Sequence, residues 1–268
     1  MLYYTLPPSL LLSPFVRAYW VLEHEVPAGQ PYVYRSMADG LPEMIFHYKG
    51  RFKQLTQQGA LSEPLSMIHG QGTQYHRFIT HESFGIFGVY FYPFAFQRLF
   101  GMPAAEFSDQ MPGLETFLGN TGRELEQQVL AADSNTARAA LVTGFLEQQL
   151  RMHPVIPEAM ASPVLQLIAS KGTISVQQLA YDHCLSIRQF QRRFKEAAGF
   201  SPKRYARIIR FQHALTHYGN RLRPLTDIAY SCGYYDQAHF IHDFKQFSGY
   251  EPGQYFHGNP EGAEWRDG

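Results

Sequence analysis

Phe190-Gln-Arg-Arg-Phe194-Lys195-Glu-Ala-Ala-Gly199-Phe200-Ser-Pro202-Lys-Arg-Tyr205 returns fifty residues later as Phe240-Ile-His-Asp-Phe244-Lys245-Gln-Phe-Ser-Gly249-Tyr250-Glu-Pro252-Gly-Gln-Tyr255. Phe, Phe, Lys, Gly, Pro and Tyr recur without a gap, and Phe200 is answered by Tyr250, so one supersecondary unit is used twice. Two phenylalanines four apart stack on one face of a helix and leave the residues between them turned outward. Gly ends such a helix and Pro opens the next. The repeat therefore describes a helix whose back is pinned to a core and whose front is offered to a partner.

Helix punctuation continues on both sides of the repeat. Ser162-Pro163 reads as a cap and first helical residue. Ser175-Val-Gln-Gln178 and Ser186-Ile-Arg-Gln189 have the spacing of capping boxes, in which Ser accepts from the third amide and Gln accepts from the cap amide. Ser201-Pro202 opens a long helix that ends near Gly219-Asn220, Pro224 opens a short one, and Asp236 caps another. Ser175–Tyr181 with Ser186–Ala197, and Pro224–Ser231 with Asp236–Phe247, thus have the dimensions of two helix-turn-helix pairs, with Asp182–Leu185 as the first turn.

In that motif the second helix enters the major groove and its outward side chains meet base edges. With Ile187, Phe190 and Phe194 facing the core, Arg188, Gln191 and Arg192 project away. Arg can grip guanine O6 and N7 with two bonds, and Gln can do the same at adenine N6 and N7. In the second copy, inward Phe240 and Phe244 leave Gln237, His239 and His242 outside. Lys195, Lys203, Arg204, Arg207 and Lys245 suit phosphate contacts, which position a protein without reading sequence.

Charge is distributed to match. The chain of 268 residues has a formal net charge of zero, with 23 basic and 23 acidic residues. Residues 1–157 hold 10 Lys+Arg against 13 Asp+Glu, a balance of −3, while residues 158–268 hold 13 against 10, or +3. Within residues 186–223 the count is 10 against 1, so a polyanionic partner suits the rear of the chain alone.

The length suggests two domains, each able to bury a core. Residues 1–100 read as strand-rich. Phe15–Leu22, Glu43–Tyr48 and Phe84–Tyr92 combine aromatic and β-branched residues, with Ala28-Gly-Gln-Pro31 and Gly70-Gln-Gly72 between them. A small sandwich or open barrel is expected. Helical pattern takes over after Pro93, at Ala95–Phe100, Leu114–Leu118, Arg123–Leu130 and Thr136–Arg151. The last of these is amphipathic, and its apolar side either covers the sheet or pairs two subunits. His153-Pro-Val-Ile-Pro157 is the expected domain boundary, giving a front domain over 1–153, a DNA-binding domain over 158–257 and a tail over 258–268. The expected class is a two-domain α+β protein, β-rich in front and all-α behind.

From Ala180 through Ser186, Phe194-Lys195, Gly199-Phe-Ser-Pro202, Tyr205, Arg210 and Ala214, then Ile228-Ala229, Gly233-Tyr234, Asp236-Gln-Ala-His-Phe240, Phe244-Lys245, Gly249, Pro252 and Tyr255, the chain resembles the DNA-binding domain of the AraC/XylS regulators. The resemblance covers residues 160–257 and agrees in spacing, caps and repeat. It implies two units held by the helix Ser201–Tyr218, reading successive major grooves about 34 Å apart. By position it assigns base reading to Arg188, Gln191 and Arg192 in the first copy and to Gln237, Ala238, His239 and His242 in the second. Two departures stand out. Cys184 occupies a turn position where the family usually has Gly, which strains a residue with a Cβ. The second set of readers contains no Arg or Lys.

The front half, through Pro14–Leu22, Gly40–His47 and Gly88–Gly101, is similar to AraC-type regulators with a poorly characterised N-terminal domain. The resemblance implies a sequence-specific transcriptional regulator that binds promoter DNA. Its front domain would sense a small-molecule effector or pair two subunits, and contact with RNA polymerase is in keeping with that role. A constitutive DNA binder with a dimerising front domain and an enzyme fused to a helix-turn-helix module are the competing readings. No nucleophile-and-base or metal triad occurs as a local motif, so no enzymatic activity and no cofactor are expected.

Six histidines lie in the front half, and His69, His76 and His81 are close in sequence. No His-x-His is present, so satisfied or exposed histidines are expected rather than a metal site. Cys184 and Cys232 have neither zinc nor disulfide spacing and are expected to be small buried hydrophobes in a reducing cytoplasm. The aromatic residues Tyr32, Tyr34, Phe46, Tyr48, Phe87 and Phe91 read as core. No signal-peptide pattern opens the chain, and no apolar run approaches the ~18 residues a membrane span needs.

Overall fold

The computed structural model describes residues 1–153, 160–220, 222–258 and 260–262. Of the expected boundary segment 153–157, residues 154–157 lie outside the described residues. Strands β1 (Leu2–Leu6), β2 (Val16–His24), β3 (Tyr32–Ser36), β4 (Glu43–Lys49), β5 (Lys53–Thr56), β6 (Gly59–Ser62), β7 (Ser66–His69), β8 (His76–Thr80) and β9 (Phe84–Phe91) build the front of the chain. They form two antiparallel sheets, β1-β2-β9-β4-β7 and β3-β8-β5-β6. The fold is a sandwich with helices added to one side.

Strand β9 shows why the layers stack as they do. Its side chains alternate, as the period of two requires. Phe84 and Ile86 join Trp20, Leu22, Tyr32, Phe52 and Phe78 in the core between the sheets. Phe87, Val89 and Phe91 point the other way, into a core closed by helices. Gly88 is needed in this strand because it pairs with Trp20 across the ladder, and the indole occupies the space a Cβ would fill.

The covering helices are α1 (Ala95–Phe100), α2 (Leu114–Leu118), α3 (Asn120–Ala131) and α4 (Asn135–Met152). Val142, Leu146 and Leu150, four apart along α4, are buried against the outer face of the five-stranded sheet with Leu125 and Val129 of α3. The apolar stripe of α4 therefore covers the sheet.

Behind Met160 come α5 (Ala161–Ala169), α6 (Val176–Asp182), α7 (Ile187–Ala198), α8 (Pro202–Leu215), α9 (Leu225–Ser231), α10 (Gln237–Ser248) and α11 (Pro252–His257). Two sequence expectations shift by part of a turn. Ser162 lies inside α5, whose cap position is Met160, and α8 stops at Leu215 with tighter turns carrying the chain to Gly219. Helix ends commonly tighten in this way. One core unites these helices and also includes Ala38 and Phe94 from the front. Among the described residues, no helix is long and apolar enough to cross a membrane.

Candidate nucleic-acid interface

The first pair, α6 and α7, is built by local chemistry. Ser175 caps α6 by accepting from the Gln178 amide at 3.0 Å, but the Gln178 side chain turns forward to Asp182 instead of back to the cap. Ser186 and Gln189 form the full reciprocal box that was expected. Between the helices Cys184 adopts φ 53° and is exposed, not buried as expected. The turn needs a left-handed residue there so that the Leu185 amide can reach back to the Ala180 carbonyl at 3.0 Å.

Phe190 and Phe194 are wholly buried, and Phe194 meets the ring of Tyr205 on α8 at 5.7 Å. Ile187, expected inward, is 47% exposed because the core begins one turn later, at Phe190. On the opposite side Arg188, Gln191 and Arg192 are exposed, and so is Arg193, which sequence reasoning did not single out. None of the four makes a hydrogen bond or ion pair among the described residues.

The second pair repeats this design with one more residue in the turn. Gly233, at φ 77°, takes the place of Cys184, and the Tyr234 amide reaches back to Ala229 as Leu185 does to Ala180. Tyr235 is then interposed before the Asp236 cap and is almost fully exposed. Phe240 and Phe244 are wholly buried, and Phe244 meets Tyr255 of α11 at 5.2 Å, as Phe194 meets Tyr205.

The outer face of α10 is engaged within the chain. Gln237 accepts from Thr226 at 2.9 Å. The His239 ring packs edge-on against Tyr234 and lies 3.7 Å from Asp243, and His242 lies 3.5 Å from the same carboxylate. Ala238 is exposed.

Residues 166–258 match a helix-turn-helix domain family. The HTH-type transcriptional activator RhaS of Escherichia fergusonii is 33% identical over 82 residues, 30% of this chain and 28% of that protein. RhaS of Enterobacter sp. (strain 638) is 34% identical over 82 residues, with the same coverage. The C-terminal domain is of the AraC/XylS family. The chain spans 28% of the length of these RhaS relatives. Residues 4–112 match a family described as a domain of unknown function, DUF6597. Among solved structures, ToxT of Vibrio cholerae O395 overlays with a TM-score of 0.48 at 12% identity, covering 89% of this chain and 96% of that one. The AraC-like transcriptional activator CuxR overlays with a TM-score of 0.27 at 11% identity, covering 82% and 88%.

Within the AraC-type domain, α8 holds both pairs. Tyr205 packs on Phe194 of the first, and Phe211 lies 5.3 Å from Phe244 and 5.5 Å from Phe247 of the second. Lys195, Lys203 and Arg204 are exposed. Lys245 is exposed and pairs with Glu251 at 2.5 Å, a surface contact of little strength.

Arg207 departs from expectation. Its guanidinium reaches Asp243 at 2.6 and 3.1 Å and Gln246 at 3.0 Å, with Asp243 wholly buried. The buried carboxylate raises the Arg207 pKa further and commits this side chain to joining α8 to α10 instead of to a phosphate. Sequence could not reveal this, because the partners are 36 residues apart.

The front domain touches the C-terminal ends of both α7 and α10. Gln71 donates to the Ala198 carbonyl at 3.0 Å and Ser108 to that of Gly199 at 3.3 Å, closing the end of α7. The Ala38 amide donates to Phe247 at 3.1 Å and Arg35 to Ser248 at 3.3 Å, closing the end of α10. These carbonyls have no partner inside a helix, so the front domain acts as the cap. Gly199 and Gly249, matched positions of the repeat, are both left-handed, and both lie where a Cβ would strike the front domain, at Gln71 and Tyr75 respectively. Arg35 also lies over the Tyr250 ring at 3.8 Å and pairs with Glu261 of the tail.

Among the described residues, no group of three or more His, Cys, Asp or Glu is placed to hold a metal ion.

Proposed function

We propose that this chain is a sequence-specific DNA-binding transcriptional regulator whose front domain, over 1–153, controls the DNA-binding domain over 158–257. The observation that carries this reading is the pairing of two helices with one shared buried face and two different outer faces. Arg188, Gln191 and Arg192 read bases from α7, and Gln237, Ala238, His239 and His242 do so from α10. Lys195, Lys203, Arg204 and Lys245 contact phosphates. Promoter DNA is the macromolecular partner, and a small molecule at the front domain is the effector. No catalytic role is proposed; the helix-turn-helix match and the RhaS relatives support a regulator.

Selection of bound duplexes from a random pool tests the reading. Two half-sites about one helical turn apart are expected, and affinity should fall steeply with salt as phosphate counterions are released. Recovery of no shared motif, or a flat salt profile, overturns it.

A further inference from the structure

Between the two sheets of the front domain lies a small, partly open pocket. Trp20, Tyr34, Phe52 and Phe78 supply aromatic walls, and Glu43 and Glu63 supply carboxyl groups. No lysine or arginine lines it. Glu43 is 7% exposed, yet its carboxyl forms no ion pair among the described residues. The Trp20 indole N–H approaches that carboxyl but makes no hydrogen bond of normal geometry, and Nδ1 of buried His47 also has no partner. Buried polar groups are rarely left in this state unless something else satisfies them.

We propose that this cavity binds a small organic cation of the alkyl- or arylalkyl-ammonium class, its charged nitrogen at Glu43 and its body among Trp20, Tyr34, Phe52 and Phe78. An ammonium offers three donors to the Glu43 carboxyl, favours its ionised, acceptor-only form by its charge, and is attracted to aromatic faces. An anion would meet two carboxyl groups and no compensating charge. A purely apolar ligand would leave the carboxyl and the indole unpaired, at the cost of their desolvation. Burial holds Glu43 and Glu63 above the usual carboxylate range, as expected for acids lacking a counter-charge. It also pulls His47 and His69, on the same wall, down to about 4, so neither repels a cation at neutral pH.

The site is coupled to the DNA-binding domain through β3. Tyr34 and Ser36 line the cavity, while Arg35 between them holds the end of α10 and lies over Tyr250. The ligand class deepens the reading of the front domain as a sensor and rests on it, but binding is measured without DNA. Failure here would therefore leave the DNA-binding reading standing.

Isothermal titration of the full chain with phenethylammonium, 2-phenylethanol and phenylacetate tests the proposal. The ammonium compound should bind about tenfold tighter than the alcohol, and phenylacetate should not bind measurably. Glu43→Gln should bring the ammonium compound down to the alcohol's affinity while leaving alcohol binding and the melting temperature in place. The wild-type comparison stands even if that variant fails to fold. Phenylacetate binding as tightly as the ammonium, equal binding of alcohol and ammonium, or no binding of the ammonium at millimolar concentration would each overturn it.

Discussion

On α7, Arg188, Gln191 and Arg192 make no hydrogen bond or ion pair among the described residues, whereas on α10 Gln237 is tied to Thr226 and both histidines lie beside Asp243. The buried halves of the two units are nearly the same, a Phe-Phe pair closed by a Tyr ring at 5.7 and 5.2 Å. One scaffold thus carries a reading surface that is unengaged within the chain and another that is held by its own protein. A base contact from the first displaces only water. One from the second must compete with a contact already made, so its net gain is smaller. The added Tyr235 in the second turn further separates the two surfaces.

The largest test concerns the anchor of the second unit. Arg207→Ala leaves Asp243 buried without its arginine partner, and should cost about 3–5 kcal/mol of stability in urea unfolding. Lys203→Ala, at an exposed position, should change stability by no more than about 0.5 kcal/mol. Equal effects from the two would mean that the second unit is not anchored as described. Next in size, Arg192→Ala should lose about 1–3 kcal/mol of discrimination at one base pair in competition binding. If all sequences weaken equally, Arg192 touches phosphate and the first unit is not the principal reader. His239→Ala should lose less discrimination than Arg192→Ala; a larger loss would reverse the ranking of the units. The smallest effect is expected in the first turn. Cys184→Gly should stabilise the protein by up to about 1 kcal/mol, because a left-handed residue with a Cβ is strained. A fall in melting temperature would show that the thiol makes a contact outweighing that strain.

Caps, breaks and the Phe-Phe spacing were legible in the chain because each acts within a single turn of helix. The Ser186–Gln189 box and the Asp236 cap fall where the sequence places them. Long-range pairings were not legible. Nothing local marks Arg207 as the partner of Asp243, and a count of basic residues treats it as one more phosphate contact. Ile187 has the right spacing for the core but precedes the point where the core begins. The acid-lined cavity draws on Trp20, Glu43, Glu63 and Phe78, spread over three strands and a loop, so no motif betrays it. His47 and His69 are buried, and Nδ1 of His47 is without a partner where satisfied or exposed histidines were expected; their shared wall becomes visible only when the sheets are stacked.

Gly199 and Gly249 have one further consequence. Each ends a reading helix at a surface occupied by the front domain, which grips both ends at once through Gln71 and Tyr75. That grip works as a caliper: the distance between α7 and α10, set by α8 within the DNA-binding domain, is gauged a second time by a body outside it. Exchange of front domains between related chains would preserve half-site spacing only when the segment around residues 70–75 travels with a matching partner surface.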